Sequence, residues 1–246
     1  MTEQTHNFEA DTGKILNIVI NSLYSDRDIF LRELLSNASD AIHKRKLLGQ
    51  TQPDILNSAE DEILVAVDDK KKTVEIIDTG IGLNADDLTE TLGTIARSGT
   101  SSFLDSIEEA SDSKNAAKSL IGKFGVGFYS AFMVAEKVVV TTRKAGENGA
   151  NTWESDGKAG YTITAVSDEQ PVGTSIKLFL RKDAKEYADL HKLKGLIKKY
   201  SDHIIVPIFV QSKDVEKEQA NSAQALWTKS PSEVSEEEYS EFYKAS

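Results

Sequence analysis

Glu33, Asn37, Asp40 and Lys44 follow one another at spacings of four, three and four. On a helix these intervals stack side chains along one stripe, so a carboxylate, an amide, a second carboxylate and an amine would face the same way. Such a stripe can hold a metal–phosphate group through the amide and work on a water through the first carboxylate, one turn away. A second group lies at Asp78-Thr79-Gly80-Ile81-Gly82, where a carboxylate that could accept from an exocyclic amine precedes two glycines through which a flat base could approach the backbone. A third is Gly122-Lys123-Phe124-Gly125-Val126-Gly127, whose backbone amides could cradle phosphate oxygens.

Other chemistries are absent from the pattern. No Gly-Lys pair is followed by Ser or Thr, so there is no P-loop, and neither a G-x-S-x-G elbow nor an H-E-x-x-H motif occurs. The chain has no cysteine, which removes disulfides, thiolate catalysis and Cys-based zinc sites. The four histidines are scattered and read as surface or structural residues. Gly80 to Ala85 is formally G-x-G-x-x-A, but Asp78 would put a carboxylate at the mouth of a phosphate loop, and no second parallel strand closes the unit.

The elements that must position these residues can be read from periodicity. Residues 26–48 form the central helix, with Leu31, Leu34, Leu35, Ala38, Ala41 and Ile42 on its core side and a capping-box-like start at Ser25 and Asp28. Ser36, Asn37, Ser39 and Asp40 are poor helix formers, together costing about 2 kcal/mol relative to alanine. A merely wet face would use Glu, Lys and Gln.

Residues 3–8 read as a strand and 10–23 as a first helix. Ile63–Asp68 and Thr73–Asp78 read as strands around a charged turn, and Asn84 caps a helix running to about Leu92. Residues 93–119 form a long loop suited to a lid. An apolar helix over 129–135 and an antiparallel meander over 137–143, 151–155, 161–166 and 174–180 follow. Residues 190–200 form a basic amphipathic helix, and 204–210 a last strand that Pro207 would place at an edge. Residues 213–221 read as a charged linker, and 235–244 as a helix of a following unit.

At 246 residues and 39% hydrophobic, the chain can bury a large core. Its net charge of -11 argues against nucleic-acid or anionic-membrane binding, so a polyanionic ligand would need a cation. The polar N-terminus lacks a signal-peptide core and no apolar run spans a bilayer, so a soluble, cytoplasmic protein is expected.

The runs Arg32 to Ala41, Asp78 to Gly82, Leu92 to Thr100 and Ile121 to Ser130, in this order, resemble the ATP-binding domain of the ninety-kilodalton heat-shock chaperones of bacterial type. Gly173-Thr174-Ser175-Ile176 resembles the remaining motif of the wider GHKL ATPase superfamily. The resemblance implies an α+β Bergerat fold: a two-layer α/β sandwich with one curved, mostly antiparallel sheet covered on one face by helices. It implies an ATP-binding domain over 1–212 with a lid at about 93–123, then a charged linker and the start of a middle domain over 213–246.

It further implies ATP/ADP and Mg²⁺ as ligands, and ATP hydrolysis that drives a stress-response chaperone on client proteins. Homodimerisation, client binding and a catalytic Arg would lie in domains outside this chain. By motif, Glu33 would be the general base with Arg32 beside it, Asn37 the Mg²⁺ ligand and Asp78 the adenine reader. Gly82 and Thr174 would assist at the base, and Asp40, Lys44 and Leu83 would also belong to the nucleotide-binding set. Arg97, Gly122, Phe124, Gly125, Val126, Gly127 and Phe128 would meet phosphates. Leu83, Thr91, Arg97 and Lys123 stand where the family usually has Met, Asn, Lys and Gln. The alternative within the same fold is a kinase or sensor module that binds ATP without hydrolysing it.

Overall fold

A computed structural model describes residues 26–56, 60–94, 127–158, 160–167 and 169–223. The strand and helix expected over 3–8 and 10–23, nearly all of the lid and the helix expected over 235–244 lie outside the described residues.

The central helix α1 spans Ile29–Gly49 and buries Phe30, Leu31, Leu34, Leu35, Ala38 and Ile42. Its start differs from the expected capping box. Asp28 is the N-cap but its side chain caps nothing; its carboxylate instead accepts from the Tyr187 hydroxyl at 2.7 Å. Arg27 pairs with Asp183 at 3.0 Å, and the Phe30 and Tyr187 rings meet edge to face at 5.1 Å. The helix is therefore anchored by the 3₁₀ turn Lys182–Tyr187 rather than by its own first turn.

Eight strands form one sheet: β1 (Ile63–Asp68), β2 (Thr73–Asp78), β3 (Ala135–Arg143), β4 (Ala150–Ser155), β5 (Thr162–Val166), β6 (Gly173–Leu180), β7 (Ile208–Ser212) and β8 (Glu218–Gln219). Their order is β5-β4-β3-β6-β2-β1-β7-β8, antiparallel throughout except for β1 with β7. Alternation along β1 and β3 sends Ile63, Val65, Val67, Val138 and Val140 into the core shared with α1. With α2 (Ala85–Thr91) and α3 (Leu190–Ser201), this is the expected α+β sandwich.

Three local expectations are corrected. The four strands after residue 135 are not a simple meander: β3, β4 and β5 are, but β6 returns to pair with β3 and β2. Residues 129–135 are not an α-helix; a 3₁₀ helix spans Gly127–Met133, and β3 starts at Ala135. Phe128 to Met133 are all buried, so no one-sided stripe is left to reveal the pitch. Pro207 does not mark an edge strand. It precedes β7, its carbonyl accepts from Ile63 N–H at 3.0 Å, and β7 lies between β1 and β8.

The charged stretch after residue 212 contributes β8 and the buried Asn221. The Asn221 side chain accepts from Ile208 N–H at 2.8 Å and donates to the Ile204 and Val206 carbonyls at 2.8 and 3.1 Å. One amide thus satisfies three backbone groups at the start of β7.

Candidate functional site

The polar stripe of α1 is not a solvated face. Asp40 is buried, and Glu33, Asn37 and Lys44 are half-buried. Arg32 holds one Glu33 oxygen at 2.7 Å. The other oxygen faces Gly127, where a Cβ would lie 2.5 Å from Oε2. The end of the glycine-rich loop therefore sits directly on Glu33. The Asn37 amide is engaged by no hydrogen bond among the described residues.

Asp78 ends β2 opposite Thr174 of β6, and Thr174 lies opposite Thr142 of β3. Directly paired residues share a face, so the three side chains form one polar row across the sheet. Asp78 is 5% exposed, and its carboxylate accepts from Gly80 N–H at 2.8 Å. Burial pushes this carboxyl up to about 7, against the pull of the Gly80 and Thr174 amides and the Arg45 charge.

The segment after Asp78 is strapped on both sides. Ile81 N–H donates to the Ala41 carbonyl of α1 at 3.1 Å, and Ala145 N–H donates to the Ile81 carbonyl at 2.8 Å. Leu83 N–H donates to Thr142 Oγ1 at 2.9 Å. The two glycines serve this packing. A Cβ on Gly80 would lie 2.6 Å from the Ala41 Cβ, and Gly82, at φ +69°, would drive one into the Arg143 carbonyl. A side chain at either glycine would therefore collide with the protein itself.

Beyond Gly82 and Leu83 opens a cleft of about 760 Å³ lined by Lys44, Thr91, Asp87, Lys144 and Glu147 among others. It reaches neither Asp78 nor Asn37, so it flanks the polar row. Burial holds the Lys44 amine below its ordinary value; Asp87 opposes this and Lys144 adds to it. Lys144 bridges Asp87 at 2.8 Å and Glu147 at 3.2 Å, tying α2 to the β3–β4 turn.

The structure thus brings Glu33, Gly127, Asp78 and Thr174 around α1, with Asn37 and Asp40 between them. The Phe128 ring packs on Tyr129 and Trp153 at 5.6 and 5.4 Å, inside the core. Arg97, Gly122, Phe124, Gly125 and Val126 lie outside the described residues. Two participants escaped the sequence reading. Arg45, inside the run Lys44-Arg45-Lys46, is 2% exposed and pairs with Asp61. Thr142 joins Leu83, Gly173 and Thr174. Only sheet register could have found Thr142.

Residues 24–177 match the family described as histidine kinase-, DNA gyrase B- and HSP90-like ATPase. The chain belongs to this ATPase family. Residues 209–246 match the Hsp90 protein family. The chain is 49% identical over 247 residues to the chaperone protein HtpG of Rickettsia typhi, covering 100% of this chain and 39% of the relative. It is 48% identical over 244 residues to that of Rhodospirillum rubrum, and 46% identical over 245 residues to that of Methylorubrum populi. Each of these covers 99% of this chain and 39% of the relative. The chain therefore spans about two fifths of the length of these curated relatives.

Proposed function

We propose that this chain is the nucleotide-binding domain of an ATP-dependent molecular chaperone. It binds ATP and ADP with Mg²⁺, and in the whole cytoplasmic protein ATP hydrolysis drives conformational cycling on client proteins during stress. The observation that carries this reading is the convergence of Asp78 and Thr174 at one end of α1 and Glu33 under Gly127 at the other. A base reader and a phosphate-end carboxylate then lie along one helix, as a nucleotide requires. Names of full-length relatives support the chaperone part, and homodimerisation follows the same reading.

Asp78 accepts from the exocyclic amine of the base, beside the Thr174 hydroxyl. Glu33 orients and deprotonates the attacking water, with Oε1 held by Arg32 and Oε2 turned to the phosphate end. Among the described residues no three His, Asp or Glu side chains form a metal cage. The proposed cation is held mostly by phosphates and water, with one protein ligand. Asn37, whose amide is otherwise unengaged among the described residues, is the residue that would hold it. Bound Mg²⁺ would supply charge neutralisation at the phosphates.

Titration calorimetry with ADP, with and without Mg²⁺, tests the reading, together with turnover in the full-length protein. Glu33→Ala should keep the wild-type affinity and lose turnover, since a base barely touches ground-state nucleotide. Asn37→Ala should lose the Mg²⁺-dependent part of binding. Equal loss of affinity in both variants would sink this division of labour.

A further inference from the structure

The hydrogen bonds around Thr142 determine which way a neighbouring proton points. Thr142 is 1% exposed, and its hydroxyl lies 2.9 Å from the Gly173 carbonyl, 2.9 Å from Leu83 N–H and 3.1 Å from Thr174 Oγ1. A hydroxyl has one proton and two lone pairs. A carbonyl can only accept, so the Thr142 proton goes to Gly173. An amide N–H can only donate, so Leu83 takes one lone pair. The remaining lone pair of Thr142 must receive the proton of Thr174.

The Thr174 hydroxyl is thereby committed inward, and the lone pairs left on its oxygen are all that it offers the site. Asp78, its register partner, is also an acceptor when ionised. We propose that Thr142 is a positioning residue for base discrimination: it locks Thr174 as an acceptor, so that the row Asp78–Thr174 accepts from a purine's C6 amine and rejects a C6 oxygen. This rests on the nucleotide-binding reading above and adds to it a residue that touches no ligand.

The consequence is a ratio. In inosine diphosphate an oxygen replaces the C6 amine and N1 gains a proton; the C6 oxygen would confront two acceptors with no donor able to turn toward it. In Thr142→Val the Thr174 proton is released and can rotate to serve that oxygen. Thr142→Ser keeps all three hydrogen bonds. Affinities for ADP and IDP are measured by calorimetry at pH 8 on the wild-type domain and on both variants.

Wild type should favour ADP over IDP by tens-fold or more, and Thr142→Val should shrink that ratio by about tenfold, with Thr142→Ser restoring it. A Thr142→Val variant that loses affinity for both nucleotides equally, its ratio unchanged, would reduce Thr142 to a structural part and overturn the proposal. If that variant does not fold, wild type decides with a third ligand, purine riboside diphosphate, which carries only hydrogen at C6. IDP binding more weakly than this ligand supports a site without a donor; IDP binding as well or better overturns it. Failure of wild type to bind ADP at all would instead refute the nucleotide-binding reading itself.

Discussion

Removing the charge of Asp78 should stabilise the empty domain while ruining its recognition of nucleotide. Its carboxyl titrates at about 7 when folded, against 3.8 for an ordinary aspartate. The folded state therefore binds more protons than the unfolded chain between these values, so stability falls as pH rises through that window. The penalty is complete above pH 7. At about 1.4 kcal/mol per tenfold in acidity, it amounts to about 4 kcal/mol. An asparagine at this position keeps the shape and can accept from Gly80 N–H through its oxygen.

The amide nitrogen that Asp78→Asn introduces would, however, lose the pull that the Thr174 amide exerts on the carboxylate and face that donor instead. That mismatch returns about 1–2 kcal/mol, leaving a net gain of about 2 kcal/mol at pH 8. For a domain of this size the gain corresponds to a rise in Tm of about 4–8 °C. Near pH 5 the wild-type penalty is largely relieved and the two proteins should melt nearly together. In the same Asp78→Asn variant, ADP affinity should fall by about 10- to 150-fold, the worth of a hydrogen bond to a charged group. Melting curves of the nucleotide-free domain at both pH values, with ADP titration at pH 8, measure all three quantities. A variant less stable than wild type at pH 8, or one that binds ADP undiminished, would refute the reasoning.

Gly82→Ala should cost about 3 kcal/mol or more in urea unfolding, because φ +69° is unfavourable for alanine and its Cβ falls on the Arg143 carbonyl; a loss below about 1 kcal/mol would mean that the strap can shift freely. Asn221→Ala should cost about 2–4 kcal/mol by leaving the Ile208 amide and two carbonyls without their partner. An unchanged unfolding midpoint would show that the stretch after β7 does not hold the sheet.

What the sequence revealed was local, and what it hid was long-range. Ile63–Asp68 and Thr73–Asp78 were readable because one face of each is apolar and a charged turn separates them. Asn84 caps α2 as its residue type announced, and Asp87 returns the bond to its N–H. Nothing local places β6 between β2 and β3, or β7 parallel to β1, since those pairings are decided by which apolar faces α1 covers. The role of Thr142 depends on that order. Arg45 was hidden for another reason: flanked by two lysines it reads as solvent-facing, and only the turn of α1 toward Asp61 buries it. The pieces of the site could be listed from their residue types, but the contacts between them come from sheet register.

The same helix explains why such a site is tolerable energetically. Ser36, Asn37, Ser39 and Asp40 cost α1 about 2 kcal/mol in propensity. Phe30, Leu31, Leu34, Leu35 and Ile42 are each at most 1% exposed, and burying such side chains contributes about 1.5–3 kcal/mol apiece. Even at the lower figure the apolar face outweighs the polar cluster severalfold, before the anchorage at Tyr187 is counted. The helix is thus held in place by one side and left free to be chemically specific on the other. Its Ala41 carbonyl receives the strap from Ile81, so the rigid apolar packing also sets where Asp78 and the segment behind it can lie. A polar face placed on a helix with weaker burial could not fix that geometry.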